Sequence, residues 1–226
     1  MGAGHAVRRL PVIAALCFAW ISTHECLAAD GPLASPTVAF TLDFPNANPS
    51  HYEITIDRAG HGRYVSNGQL EKDSSPTDPA PLEFTISNRV RDQIFDLAQR
   101  AHYFSGKVDS GRKNIANTGT KTLTYKDGEH NGSATYNYST SAPVEQLTAI
   151  FQGLSETLEF GRRLSFFHKY QKLALDEDLK RMEELQNDNN LGDIQAIAPV
   201  LKEIADDQSV MNVARARALR LMATAK

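Results

Sequence analysis

Residues 37–44 alternate strictly, placing Val38, Phe40, Leu42 and Phe44 on one face of an extended chain. Residues 52–57 repeat the pattern, with Tyr52, Ile54 and Ile56 set against Glu53, Thr55 and Asp57. Period-two alternation predicts half-buried strands. The glycine-containing run 58–62 turns the chain and residues 63–66 return, which predicts a hairpin. After a proline-rich surface loop over 67–81, a short strand over 82–86 leads into Ser87, a favourable N-cap. Val90, Ile94, Leu97, Ala101 and Phe104 then recur at helical spacing, predicting a helix over 87–104 that ends at Ser105-Gly106. A second hairpin follows over 120–125 and 133–139, joined through Asp127-Gly128 and Asn131-Gly132. Its core side is expected to carry Leu123, Tyr125, Ala134, Tyr136 and Tyr138. The opposite side presents Thr120, Thr122 and Thr124 beside Ser133, Thr135 and Asn137.

From residue 141 onward the pattern is helical. Pro143 suits a first turn, and Val144, Leu147, Ile150 or Phe151, Leu154 and Leu158 form a stripe. Gly161 is expected to break that helix before Leu164, Phe167, Tyr170 and Leu173 resume. Asp176 is expected to cap a further helix through Leu179, Met182 and Leu185, and the polar run 187–190 interrupts it. Two last segments flank residues 206–209, and Pro199 predicts a kink or restart in the first of them. The expected fold class is α+β: an antiparallel sheet of five or six strands with helices packed on one face, plus a helical C-terminal region. The expected organisation is a signal peptide at 1–29, an α+β domain at 30–160 and a helical region at 161–226.

The N-terminal segment changes the picture of where this fold works. Arg8-Arg9, the apolar run 10–21 and the exit Cys26-Leu27-Ala28-Ala29 are the three parts of a secretory signal. The expected cut follows Ala28 or Ala29, with retention as an N-terminal anchor as the other reading. The mature chain is then expected in the periplasm or secreted, with no membrane contact beyond the signal. The apolar run is shorter than the ~20 residues of a permanent span. Both cysteines, Cys17 and Cys26, lie inside the signal, so no disulfide or cysteine-ligated metal is expected in the mature chain. Setting aside Arg8, Arg9 and Glu25 leaves 22 basic against 26 acidic side chains, a net charge of −4. That balance argues against nucleic acid as a partner.

Two resemblances bear on the fold. Ile54, Ile56, Gly60 and Tyr64, the Phe84-x-Ile86-Ser87 step into a helix, the Tyr103-Phe104 helix end and the threonine-rich strand cover residues 52–160. That stretch resembles an uncharacterised family of small secreted bacterial α+β domains, whose members often carry paired cysteines before the first strand; these are missing here. The resemblance implies a fold and no activity. The tail, with Asp206-Asp207 at a turn and Arg215-x-Arg217-Ala218 beyond it, is similar to a single helical repeat of the HEAT type. One such repeat implies docking on neighbouring helices or on a partner.

Candidate chemistry is sparse. Gly119-Thr120-Lys121-Thr122 is not a phosphate loop, because lysine does not directly follow the glycine and the next element is a strand rather than a helix. The mature histidines, His51, His61, His102, His130 and His168, include no i, i+4 pair, so no metal site and no cofactor are expected. No Gly-x-Ser-x-Gly elbow occurs. The acids at 176–178 and 183–184 read as a solvated helix face. What stands out is a polar loop with Asn114, Asn117 and Thr118 beside a strand face carrying Thr120, Thr122, Thr124, Thr135 and Asn137. That surface is able to hydrogen-bond a protein or glycan, although an antiparallel sheet also commonly leaves one such face to water. The expected function is a non-catalytic exported interaction module, with Arg215, Arg217 and Arg220 as further protein contacts. The alternative is a small periplasmic hydrolase built from long-range contacts, with His102 or His168 as its base.

Overall fold

The computed structural model describes residues 1–2, 35–45, 47–70 and 81–224. Apart from its first two residues, the expected signal segment lies outside the described residues.

Six strands form one sheet: β1 (Thr37–Asp43), β2 (His51–Asp57), β3 (His61–Ser66), β4 (Leu82–Thr85), β5 (Thr120–Lys126) and β6 (Asn131–Tyr136). Their order is β4-β3-β2-β1-β5-β6, every pair antiparallel. The first four strands run as a meander. Helix α1 (Asn88–Arg100) then carries the chain back so that β5 pairs with the free side of β1. The Asp57 carboxylate fixes the β2–β3 turn by accepting the backbone N–H groups of Ala59 and His61, both at 2.9 Å. Ser87 accepts from the Val90 N–H and caps α1 as expected.

One face of the sheet is largely apolar, with Ser66 and Lys121 as its buried polar members. Val38, Phe40, Tyr52, Ile54, Ile56, Tyr64, Leu123 and Tyr136 are all buried there against α1 and α2 (Ala142–Tyr170). Phe40 stacks on Phe151 of α2 at 5.3 Å with nearly parallel rings. The α+β architecture, the six antiparallel strands and the helical C-terminal region therefore stand as expected.

Four local expectations change. Helix α1 stops at Arg100 instead of running to residue 104. His102, Tyr103 and Phe104 adopt φ of 51°, 53° and 63°, the left-handed region. Phe104 is still fully buried, and the Tyr103 ring lies 4.6 Å from Tyr125 and 4.0 Å from His130. The helical spacing of Phe104 thus marked burial correctly while a tight turn, not another helical turn, delivers it. Strand β6 ends at Tyr136, because the Asn137 N–H turns to the Asp109 carboxylate at 3.0 Å. Alternation is lost there, and Tyr138 is exposed beside the Arg112 guanidinium instead of facing the core with Tyr136.

The third change is at Gly161. The helix does not break; α2 continues for 29 residues. Gly161 is buried, and a β-carbon there would lie 2.5 Å from Ile197 Cγ2, so the glycine serves close packing of the C-terminal region. One helix therefore crosses residue 160 and belongs to both the sheet layer and the tail. Beyond it lie α3 (Leu175–Asn187), a 3-10 turn at Ile194–Ile197, α4 (Ala198–Asp206) and α5 (Asn212–Thr224). Asp176 sits in the first turn of α3 rather than at its cap and pairs with Arg217 at 2.8 Å. Pro199 falls in the first turn of α4, which is the restart the sequence predicts.

Helix α2 is fixed to the sheet by a buried polar cluster. Glu159 accepts hydrogen bonds from Tyr64 Oη at 2.7 Å, Ser66 Oγ at 2.5 Å and Arg162 Nη1 at 2.9 Å. Burial pushes the Tyr64 phenol well above its usual pKa, so it stays protonated and donates. Tyr64→Phe removes a hydrogen bond to a buried charge, and the expected loss is about 1.5–3 kcal/mol. Urea unfolding of the variant against the parent chain checks it; an unchanged midpoint and slope would show that the cluster does not hold the helix.

Candidate binding surface

Every described helix that meets the sheet lies on its apolar side. The other face is left with side chains that alternate outward along each strand. Register sets them in rows. Thr41 of β1 stands between Thr122 of β5 and Glu53 of β2, and Thr122 in turn faces Thr135 of β6. In the next row Ala39 stands between Thr124 and Thr55, with Ser133 beyond Thr124 and Arg63 beyond Thr55. The β1, β5 and β6 half of these two rows carries no charge. The β2 to β4 half carries Glu53, Arg63 and Glu83.

Histidine–aspartate pairs close the two ends of the neutral patch. At one end His51 Nδ1 lies 2.6 Å from Asp43 Oδ1, and Thr120 faces Asp43 across the ladder. At the other, His61 Nδ1 lies 3.2 Å from Asp57 Oδ2, and Lys126 stands opposite Thr37. Within the patch, Thr122 Oγ1 and Thr135 Oγ1 are 3.0 Å apart, as are Thr124 Oγ1 and Ser133 Oγ. Each such pair shares one proton between two hydroxyls. The second proton and the remaining lone pairs stay available to a ligand, and the threonine methyls give the same surface apolar area.

The loop residues have a different role. Asn137 Oδ1 accepts from the Thr118 N–H at 3.0 Å and from its hydroxyl at 3.2 Å, while Asn137 Nδ2 donates to the Ala116 carbonyl at 3.1 Å. Asn117 Oδ1 accepts from the Gly119 N–H at 2.9 Å. Asn117, Thr118 and Asn137 thus spend their polar groups on fixing the loop. Asn114 is exposed with φ of 61°, and no hydrogen bond among the described residues joins it to the threonine rows. Of the sequence-derived candidates, Thr122, Thr124 and Thr135 share the open patch, with Thr120 at its rim. Thr41, Thr55 and Ala39 belong to it as well and went unnoticed in the sequence; the outward phase of β1 and β2 was the signal that marks them.

Lys121 has a structural role in the same loop. It points inward beside Leu42 and Tyr136, is buried, and its ammonium donates to the carbonyls of Thr118, Gly119 and Asn137 and to Thr118 Oγ1 at 2.9–3.2 Å. Burial pushes its pKa down. The lysine that looks like part of an anion loop is in fact the clamp that closes 118–119 onto residue 137.

Four of the described histidines pair with aspartates. His51, His61 and His130 each meet an aspartate in their own hairpin. His168 Nε2 meets Asp207 Oδ2 at 2.9 Å, and Asp207 also takes Lys172 at 2.6 Å and Ser209 Oγ at 2.7 Å. The Ser209 hydroxyl meets the carboxylate, so this group does not have the acid, base and hydroxyl in the order of a triad. Arg217 and Arg220 are engaged with Asp176 and Glu183, and Arg215 with the Ala205 carbonyl. Among the described residues no group of three or more His, Cys, Asp or Glu could hold a metal ion, and no helix is long and apolar enough to cross a membrane. No protein-family model matches this chain, and no curated protein matches it.

Lys121→Met strands three carbonyl groups at the loop closure, and the expected loss is about 1–3 kcal/mol. The unfolded chain binds this proton more tightly than the native one, so the parent chain gains stability relative to the variant as pH rises towards the ordinary value of 10.5. Thermal unfolding of both chains across that alkaline range checks the magnitude and the sign.

Proposed function

We propose that this chain is an exported, non-catalytic binding module that engages a protein partner through the open face of its sheet. The observation that carries the reading is the neutral patch formed by Thr41, Thr122, Thr124, Ser133 and Thr135, uncovered among the described residues and bounded by histidine–aspartate pairs at both ends. A sheet face with no role beyond solubility is normally studded with charge, whereas this half offers hydroxyls and methyls in register. Such a surface suits a polypeptide, which brings both amide donors and apolar side chains. Paired hydroxyls without a neighbouring base fit recognition better than bond cleavage. Export follows from the signal-like N-terminus and agrees with a mature chain whose stability depends on core burial rather than on thiols.

A photo-crosslinking amino acid at Thr124, with a matched control at Lys180 on α3, tests this in the exported fraction of the source cells. The expected result is a discrete adduct from position 124, absent from 180, sensitive to protease and suppressed by excess unlabelled chain. An adduct destroyed by glycosidase would reassign the face to a glycan. Equal labelling from both positions, or none from 124, would contradict the proposal.

A further inference from the structure

A second site lies on the opposite side of the molecule from the threonine face. Helices α1, α2 and α3 and the loop 189–193 enclose a cleft of about 870 Å³. That volume is within the ~300–1,000 Å³ usual for small-ligand pockets. Its floor is held rigidly. The Gly192 N–H donates to the Gly153 carbonyl at 2.9 Å and to Thr157 Oγ1 at 3.0 Å. The two backbones approach so closely that a β-carbon on Gly192 would lie 2.5 Å from Leu154 N. Asp193 locks the next residue by accepting from the Ser87 N–H at 2.6 Å and from the Gln195 N–H at 3.2 Å. The cleft is therefore preformed rather than waiting on a movement.

Its charges are the unusual feature. Arg89, Arg181 and Glu156 all line the cleft, and none of the three makes a hydrogen bond or an ion pair among the described residues. Arg181 has Asp178 as a neighbouring charge, but Arg163 already holds that carboxylate at 3.2 Å. Arg89 stands in the first turn of α1, where a cation opposes the helix dipole and an anion would be favoured. The cleft thus offers two guanidinium groups and one half-buried carboxylate.

We infer that this cleft binds a short peptide with free termini. The two guanidinium groups take its terminal carboxylate, and Glu156 takes its terminal ammonium. A guanidinium also recognises phosphate, but a dianion here would meet Glu156 and Asp193 across the same space. A zwitterion matches both signs. The interior side chains Val90, Ile150 and Leu191 supply apolar contact for small peptide side chains. This site is independent of the proposed partner surface on the sheet, so either is able to fail alone.

The test is a titration of the isotope-labelled full chain with a pooled tripeptide library, followed through the amide signals of Gly153 and Gly192. The same pool, N-acetylated and C-amidated, is the control, and inorganic phosphate is the competing probe. The expected result is saturable shifts with the free-terminus pool, weakened about tenfold or more by capping, by Arg181→Gln and by Glu156→Gln. Arg181 is exposed, so its replacement leaves the fold intact, and a retained amide spectrum confirms it. Saturable shifts with phosphate alone, equal binding of capped and free pools, binding untouched by both substitutions, or no shifts at either glycine would overturn the inference.

Discussion

The carboxylate of Glu159 is the constraint on which the arrangement of layers depends. It is buried on α2 and receives hydroxyls from two residues of β3, together with the guanidinium one turn further along its own helix. An anion taken out of water is tolerated only when its lone pairs are matched, so α2 has few ways to lie on the sheet. Apolar burial drives the helix onto the sheet, and the polar cluster selects the placement. With that placement set, Phe151 meets Phe40 face to face and Gly153 comes within reach of Gly192. The same helix then extends beyond the sheet and receives Ile197 against Gly161. The C-terminal helices are thus carried by the element that the sheet orients.

Much of this architecture was legible in the chain. Alternation in β1, β2 and β5 named the inward residues, and Ser87 marked the start of α1, because these signals are local and periodic. The failures also share a cause. Gly161 looks like a breaker to any local reading, since the reason for the glycine is a side chain 36 positions away, Ile197. The end of β6 is decided by Asp109, which reaches Asn137 from a distant loop. Phe104 kept its burial and lost its helix, because period predicts a face and not the backbone path that brings a residue to it. Glu159 itself reads as one more acid in a helix until Tyr64 and Ser66 are placed beside it.

The candidate site divides along the same line. The outward threonines of β5 and β6 follow from alternation, and the structure brings them together with Thr41 and Thr55 through a strand order that no local pattern contains. The loop residues were singled out for their polarity, but polarity is what a loop uses to hold itself: Asn117, Thr118 and Asn137 bond within it, and Lys121 closes it from beneath. The cleft between α1, α2 and α3 had no signature at all. Arg89, Glu156 and Arg181 lie on three different helices, and that none of them makes a hydrogen bond or ion pair among the described residues is a property of the folded chain alone.

The proposed partner surface requires that the helices occupy a single face of the sheet, leaving the other to solvent and to whatever binds it. Solvent paramagnetic relaxation measures this directly on the methyl groups of the folded chain. A soluble gadolinium chelate is expected to relax the methyls of Thr41, Thr122, Thr124 and Thr135 strongly, and to leave those of Ile54, Leu123 and Leu147 nearly untouched. Threonine methyls as protected as that of Leu123 would show the face to be covered by the chain itself, and would contradict the account.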